Sequence, residues 1–190
     1  MNYRHEFHAG NFADVLKHMV LIYCLNHLTK KDKPFYVLDT HAGKGLYDLK
    51  SKKALQTQEC MGGIQALSWT KNLPMLVELY KSCIDFYIKD DLYPGSPLLI
   101  HHFLRQQDRA HGIEWHEEDY ETLKHVLKKS SVNPFYQNGY DALKGFLPPP
   151  ARRGLVLIDP PFEKKDEFST LKEGIKHALK RFANGTYLIW

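Results

Sequence analysis

The chain has 190 residues, 43% of them apolar and 25% charged, which is enough to bury a core and is most simply one domain, 1–190. Its formal charge of +4 permits a nucleic-acid partner without demanding one, and no apolar run approaches the roughly 20 residues that cross a bilayer. Met1-Asn2-Tyr3-Arg4-His5 carries no apolar signal core, and Cys24, Cys60 and Cys83 form no Cys-x-x-Cys pair, so a cytoplasmic protein off the membrane, without disulfide scaffold or cysteine zinc site, is expected.

Taken from the start, Asn11 can cap a helix with Asp14 in its first turn, and Phe12, Leu16, Met19, Val20 and Tyr23 fall on its apolar face. The run Phe35-Tyr36-Val37-Leu38 predicts a strand that ends in Asp39-Thr40-His41-Ala42-Gly43-Lys44-Gly45. Between Leu46 and Tyr93 there is no strand signal. Two helical stretches fill that interval, the second with Leu76, Leu79, Tyr80, Cys83 and Tyr87 at helical spacing, and together they predict a small helical insertion over about 47–93.

Pro94-Gly95-Ser96-Pro97 then opens a helix bearing Leu98, Leu99, Ile100 and Phe103. A short strand follows near 112–115, with Glu114 at its end, then a helix near 118–129 and a strand ending at Asn138-Gly139. A short helix at 142–146 and the stiff Pro148-Pro149-Pro150 connector lead to the buried-looking strand Leu155-Val156-Leu157-Ile158. A helix over 168–182 and a strand over 185–190 complete the chain. Strands alternating with helices indicate an α/β fold with a doubly wound, mainly parallel sheet, whose ligand edge gathers Asp39, Glu114, Asn138 and Asp159.

Two strand-to-loop junctions carry chemistry. Asp159-Pro160-Pro161-Phe162 follows the last apolar run and suits methylation of an exocyclic base amine, whose lone pair is delocalised into the ring. The Asp159 carboxylate and the Pro160 carbonyl can accept the two amine hydrogens, Asp159 can take the surplus proton, and Phe162 can stack on an extruded base. The bland alternative is an ordinary strand stop, since Pro cannot continue a central ladder. At the first junction Gly43 and Gly45 allow a sharp turn and close approach of a nucleotide-like ligand, at the edge where open α/β sheets bind. It is neither a dinucleotide fingerprint nor a phosphate loop, and alone it reads equally well as a tight turn. Together the two junctions indicate a donor loop for S-adenosylmethionine and an acceptor loop for an amine.

Five blocks carry a resemblance: Tyr3-Arg4-His5-Glu6-Phe7-His8-Ala9-Gly10-Asn11, Ala13-Asp14-Val15-Leu16-Lys17-His18, Leu38-Asp39-Thr40-His41-Ala42-Gly43, Tyr93-Pro94-Gly95-Ser96-Pro97, and Arg152-Arg153-Gly154 through Phe162. The chain resembles the RlmJ family of ribosomal RNA adenine-N6 methyltransferases, also labelled ComJ-like and linked to the use of external DNA. The resemblance implies a Rossmann-like class I methyltransferase acting on one adenine of 23S ribosomal RNA. S-adenosylmethionine would be the cofactor and S-adenosylhomocysteine the product. It makes Asp159 the proton acceptor and puts His18, His41, Ser96, Glu114, Asn138 and Gly139 around the cofactor, with Tyr3, His5 and Lys17 toward the substrate. The family commonly has Tyr at Phe162 and Asp at Asn138; the amide oxygen of Asn138 is expected to accept from the cofactor's exocyclic amine in place of a carboxylate. Family members continue well past the position of Trp190, so strands of the sheet can be missing after it. A monomer acting on RNA not yet in the mature ribosome is expected.

Among the 11 histidines, His5-x-x-His8 and His101-His102 invite a metal reading, but no His-Glu-x-x-His appears and transfer from a sulfonium needs no metal, so none is expected. Other readings are a DNA adenine methyltransferase, a noncatalytic RNA-binding module, and a nuclease built on Asp159 and Glu163-Lys164-Lys165, where the carboxylates lie only a tight loop apart. Lys164 and Lys165 more readily meet phosphates beside the target base or form a solvated face.

Overall fold

The computed structural model describes residues 4–69, 72–163 and 165–190. Two expected substrate residues, Tyr3 and Lys164, lie outside that range. A 3-10 turn (His5–Phe7) precedes α1 (Phe12–Thr29), and β1 (Tyr36–Asp39) follows. The interval after β1 holds β2 (Leu46–Asp48), α2 (Lys52–Thr57), two 3-10 turns, α3 (Met75–Ile88) and β3 (Leu92–Pro94). Then come α4 (Ser96–Phe103), β4 (Arg109–Glu114), α5 (Glu117–Val126), β5 (Val132–Tyr136), α6 (Gly139–Gly145), β6 (Gly154–Ile158), α7 (Glu167–Arg181) and β7 (Thr186–Ile189).

Five strands form a wholly parallel sheet in the order β5-β4-β1-β6-β7. Parallel strands need crossovers, and the helices between them bury both faces, which is why β1 and β6 are apolar and buried almost throughout. The order reverses at β1: its partners are β4 on one side (Val37 beside Ala110) and β6 on the other (Val37 beside Leu155). A crevice therefore opens outside the carboxyl ends of these strands. One core packs Leu21, Ile22 and Leu25 of α1, with α3 and α4, against the sheet; a second packs Leu143 of α6 and Leu171 and Ala178 of α7 against the opposite face. The edge strand β5 contains Pro134, aligned with Gly112 of β4. A proline inside a ladder must turn its nitrogen to the unpaired side.

Two readings of the sequence need correction. Phe12, Leu16 and Tyr23 of α1 are exposed, while the buried stripe is Asp14, Val15, Lys17, His18, Leu21, Ile22, Leu25 and Leu28. The helix has apolar residues on both sides, and three polar residues on the inner stripe disguise it. The interval from Leu46 to Tyr93 also has strands at its ends, since β2 and β3 pair antiparallel, Tyr47 opposite Tyr93. Three-residue strands are too short for an alternating pattern to register. The cap on α1 is as expected, with the Asn11 side chain accepting from the Asp14 N–H at 2.9 Å.

Candidate active site

The crevice is lined by the end of β4 and by the loops that follow β1, β5 and β6, with α1 and the amino-terminal turn along one side and α7 contributing Glu167 and Thr170. At the end of β1, Asp39 is fully buried, and its carboxylate accepts from the Ser96 hydroxyl at 2.6 Å and the His41 N–H at 3.3 Å. Burial pushes the Asp39 carboxyl up to about 7, with the Ser96 bond working the other way. The turn beyond it needs glycine: Gly43 and Gly45 have φ of +59° and +81°, and a Cβ on Gly43 would fall 2.2 Å from the Tyr47 hydroxyl. The Gly45 carbonyl accepts from the Gly95 N–H at 2.8 Å, which fastens this turn to the start of α4 and sets Ser96 against Asp39.

Two neutral imidazoles flank the turn. The single proton of the Thr40 hydroxyl goes to the Leu157 carbonyl at 3.0 Å, so the hydroxyl accepts from His41 Nδ1–H at 2.8 Å and leaves Nε2 as an acceptor. Burial holds His41 down at about 4 and His18 at about 3. His18 stacks on Tyr93, its Nδ1 2.9 Å from the Tyr93 hydroxyl, which in turn meets Tyr80 at 3.0 Å. The β2–β3 ribbon is what carries Tyr93 to this position.

At the end of β4, Glu114 is buried and accepts from the His116 N–H at 2.7 Å, and burial raises its carboxyl above the usual range. Asn138 and Gly139 begin α6. The Asn138 oxygen accepts from the Tyr140 and Asp141 N–H groups at 2.9 and 3.3 Å. That oxygen is committed to a helix cap and is not the free acceptor expected for a cofactor amine. Gly139 approaches β1 so closely that a Cβ would lie 2.2 Å from the Thr40 carbonyl.

Across the crevice, Asp159 and Pro160 follow β6. Asp159 is half-buried and accepts from the Lys17 ammonium at 2.5 Å. Lys17, itself buried, also donates to Asp14 at 2.8 Å. Burial works to lower the Lys17 ammonium, but the two carboxylates outweigh it and hold it above the ordinary range. The other Asp14 oxygen faces His5 Nε2 at 2.8 Å and the Gly10 N–H at 3.0 Å. Burial works to raise the Asp14 carboxyl, yet His5 and Lys17 keep it well below its usual value. Phe162, at φ +51°, is outside the crevice lining and stacks on Phe168 of α7 with centroids 4.7 Å apart.

The structure thus brings His5, Lys17, His18, His41, Gly43, Ser96 and Glu114 into one crevice with Asn138, Gly139, Asp159 and Pro160, while Asp39 lies just beneath. Reading the sequence missed Tyr47, Trp115 and Asp14. Trp115 directly follows Glu114 and Tyr47 lies two residues past Gly45, so proximity in sequence was an available signal. Asp14, three residues before Lys17, was hidden by the misassigned face of α1. Among the described residues no group of three or more His, Cys, Asp or Glu is placed to hold a metal ion.

A family model for "Ribosomal RNA large subunit methyltransferase D, RlmJ" matches residues 32–190. The chain is 43% identical over 194 residues to "Ribosomal RNA large subunit methyltransferase J" of Escherichia coli (strain K12), and 44% identical over 195 residues to the protein of that name from Haemophilus influenzae (strain ATCC 51907 / DSM 11121 / KW20 / Rd). All of this chain and 69% of each relative are covered. A crystal structure from Legionella pneumophila str. Philadelphia 1 is 40% identical and superposes with a TM-score of 0.87 over 96% of this chain and 69% of that one. The use of external DNA finds no counterpart in these names.

Proposed function

This chain belongs to the RlmJ family of ribosomal RNA large subunit methyltransferases, and on that premise we infer that its crevice serves methyl transfer from S-adenosylmethionine to the exocyclic N6 of one adenine in 23S ribosomal RNA. The observation that carries this reading is the meeting of the glycine turn after β1 and the Asp159-Pro160 loop after β6 in one crevice. A sequence motif alone leaves such loops free to lie apart.

The residues present fit the cofactor. Gly43 and Gly139 let the wall of the crevice close tightly on Tyr47 and Thr40, and Glu114 offers a carboxylate at the end of β4, where ribose hydroxyls are commonly held. His18, His41 and Ser96 supply neutral polar groups around the same space. When bound, S-adenosylmethionine supplies a methyl group already activated on a sulfonium. What remains for the protein is mainly alignment and proton handling.

Asp159 accepts one hydrogen of the adenine amine and the Pro160 carbonyl the other, so the nitrogen lone pair is localised and turned toward the methyl donor. Asp159 then takes the proton released as the N–C bond forms. Lys17 holds the carboxylate in place, and His5 faces the substrate side. Phe162, partly exposed and stacked on Phe168, offers its other face to the base. Tyr3 and Lys164 are assigned to substrate contact by resemblance alone. An adenine drawn out of its stack must be accessible, so the substrate is taken as 23S RNA before it is packed into the mature ribosome, methylated in the cytoplasm by a monomer. Among the described residues no helix is long and apolar enough to cross a membrane.

The test is methyl transfer from labelled cofactor onto unmodified 23S RNA with matched DNA as competitor. Label in RNA is the expected result, and label confined to DNA would replace the substrate assignment. No label in either, from protein that binds the cofactor, would remove the function. The nuclease reading is not favoured, because the relatives are named for methyl transfer.

A further inference from the structure

Asp14 is only 2% exposed, and it is saturated by partners that belong to three different segments: Lys17 on its own helix, His5 in the amino-terminal turn, and the Gly10 backbone. Lys17 continues the chain of contacts to Asp159. A path of four side chains, His5, Asp14, Lys17 and Asp159, therefore runs from the amino-terminal turn to the acceptor loop. We propose that Asp14 is a positioning residue for methyl transfer, which fixes the Lys17 ammonium from behind and thereby leaves the Asp159 carboxylate able to accept from the adenine amine.

Asp14 acts by dividing the Lys17 charge. A lysine ammonium that faces a single carboxylate in a buried site gives its whole positive charge to that partner. Asp159 would then be one half of a neutral pair, a weakened acceptor for a second donor. With Asp14 at 2.8 Å from Nζ and Asp159 at 2.5 Å, the one positive charge is divided between two carboxylates, and the trio Asp14, Lys17 and Asp159 keeps a net negative charge. The titratable groups around this trio include His5, His18, His41, Asp39, Glu59 and the phenols of Tyr47, Tyr80 and Tyr93; burial keeps His18 and His41 neutral and raises the phenols, and His5 is paired with Asp14. A purely structural Asp14 would only tie Gly10 and His5 to the start of α1, and the experiment must separate that role from this one. The proposal rests on the methyl-transfer reading of the crevice.

Asp14→Asn keeps the shape and removes the charge. In the full chain, with saturating labelled S-adenosylmethionine and 23S RNA, kcat is expected to fall about 10- to 100-fold from misplacement of the reacting groups, with the KM for S-adenosylmethionine essentially unchanged. Any loss of kcat at high pH should set in at lower pH than in the wild type, because Lys17 with one carboxylate instead of two gives up its proton more readily. Lys17→Gln and the double variant close the cycle. If Asp14 acts through Lys17, the double variant is no slower than Lys17→Gln. If the two losses multiply, or Asp14→Asn matches the wild type in kcat and pH profile, the proposal is overturned. Should Asp14→Asn fail to fold, the comparison of the double variant with Lys17→Gln decides alone, and an unfolded double variant counts against the proposal. Absence of transfer by the wild type would instead sink the functional reading beneath it.

Discussion

At the end of β1, the buried Asp39 carboxylate has the Ser96 hydroxyl and the His41 amide in place of water, and burial pushes its carboxyl up to about 7. An unfolded aspartate titrates near about 3.9, so through the window from about pH 4 to 7 the folded protein keeps a proton that the unfolded chain has lost. Stability contributed here is therefore full in acid and lost as pH rises through 7. Asp39→Asn has no such proton, and its melting temperature relative to wild type should climb between pH 5 and pH 8; a difference independent of pH would refute the buried ionisation. His18 and His41 act with the opposite sign. Their folded values of about 3 and 4 lie below the unfolded value of about 6.5, so their contribution is present above that pH and lost as it falls. Asp159→Asn should fold and be stabilised by cofactor but transfer methyl at least about 10²-fold more slowly, since an amide cannot take the proton. Near-normal turnover would take the proton-acceptor role from Asp159.

At the scale of the element, α1 shows what periodicity reveals and what it hides. Its extent and cap were legible because Asn11 and the apolar spacing are local signals. Its orientation was not, because Asp14, Lys17 and His18 occupy the inner stripe and are tolerated there only through partners on the amino-terminal turn, β3 and the β6 loop. Truncation distinguishes the two faces. Leu21→Ala, at a fully buried position, should cost about 2–5 kcal/mol in chemical denaturation. Leu16→Ala, exposed on the other side, should change stability by no more than about 0.5 kcal/mol. Equal losses would mean the helix faces the other way. The ribbon was illegible for a related reason: three residues a side carry no pattern, and only the pairing of Tyr47 with Tyr93 makes them strands. Phe162 shows the same limit, since its partner Phe168 sits beyond the loop on α7.

For the molecule as a whole, the alternation of strands and helices was enough to fix a parallel, doubly wound sheet, and the site residues at strand ends followed from it. Those at one remove, such as Asp14 and Tyr93, depended on how α1 and the ribbon dock. If the crevice holds S-adenosylmethionine, cofactor at about 100 times its Kd should stabilise the protein by about 2.7 kcal/mol, a rise of about 5–10 °C in Tm for a chain of this size, without added metal. No shift would empty the crevice of its assigned ligand. Pro134 has a consequence of its own. Because it withholds a donor along the outer margin of β5, that flank is a poorer template for another strand, from a neighbour or from a misfolded copy. The β7 edge has no such break, so lateral growth of the sheet is favoured there, away from the Glu114 end of the crevice.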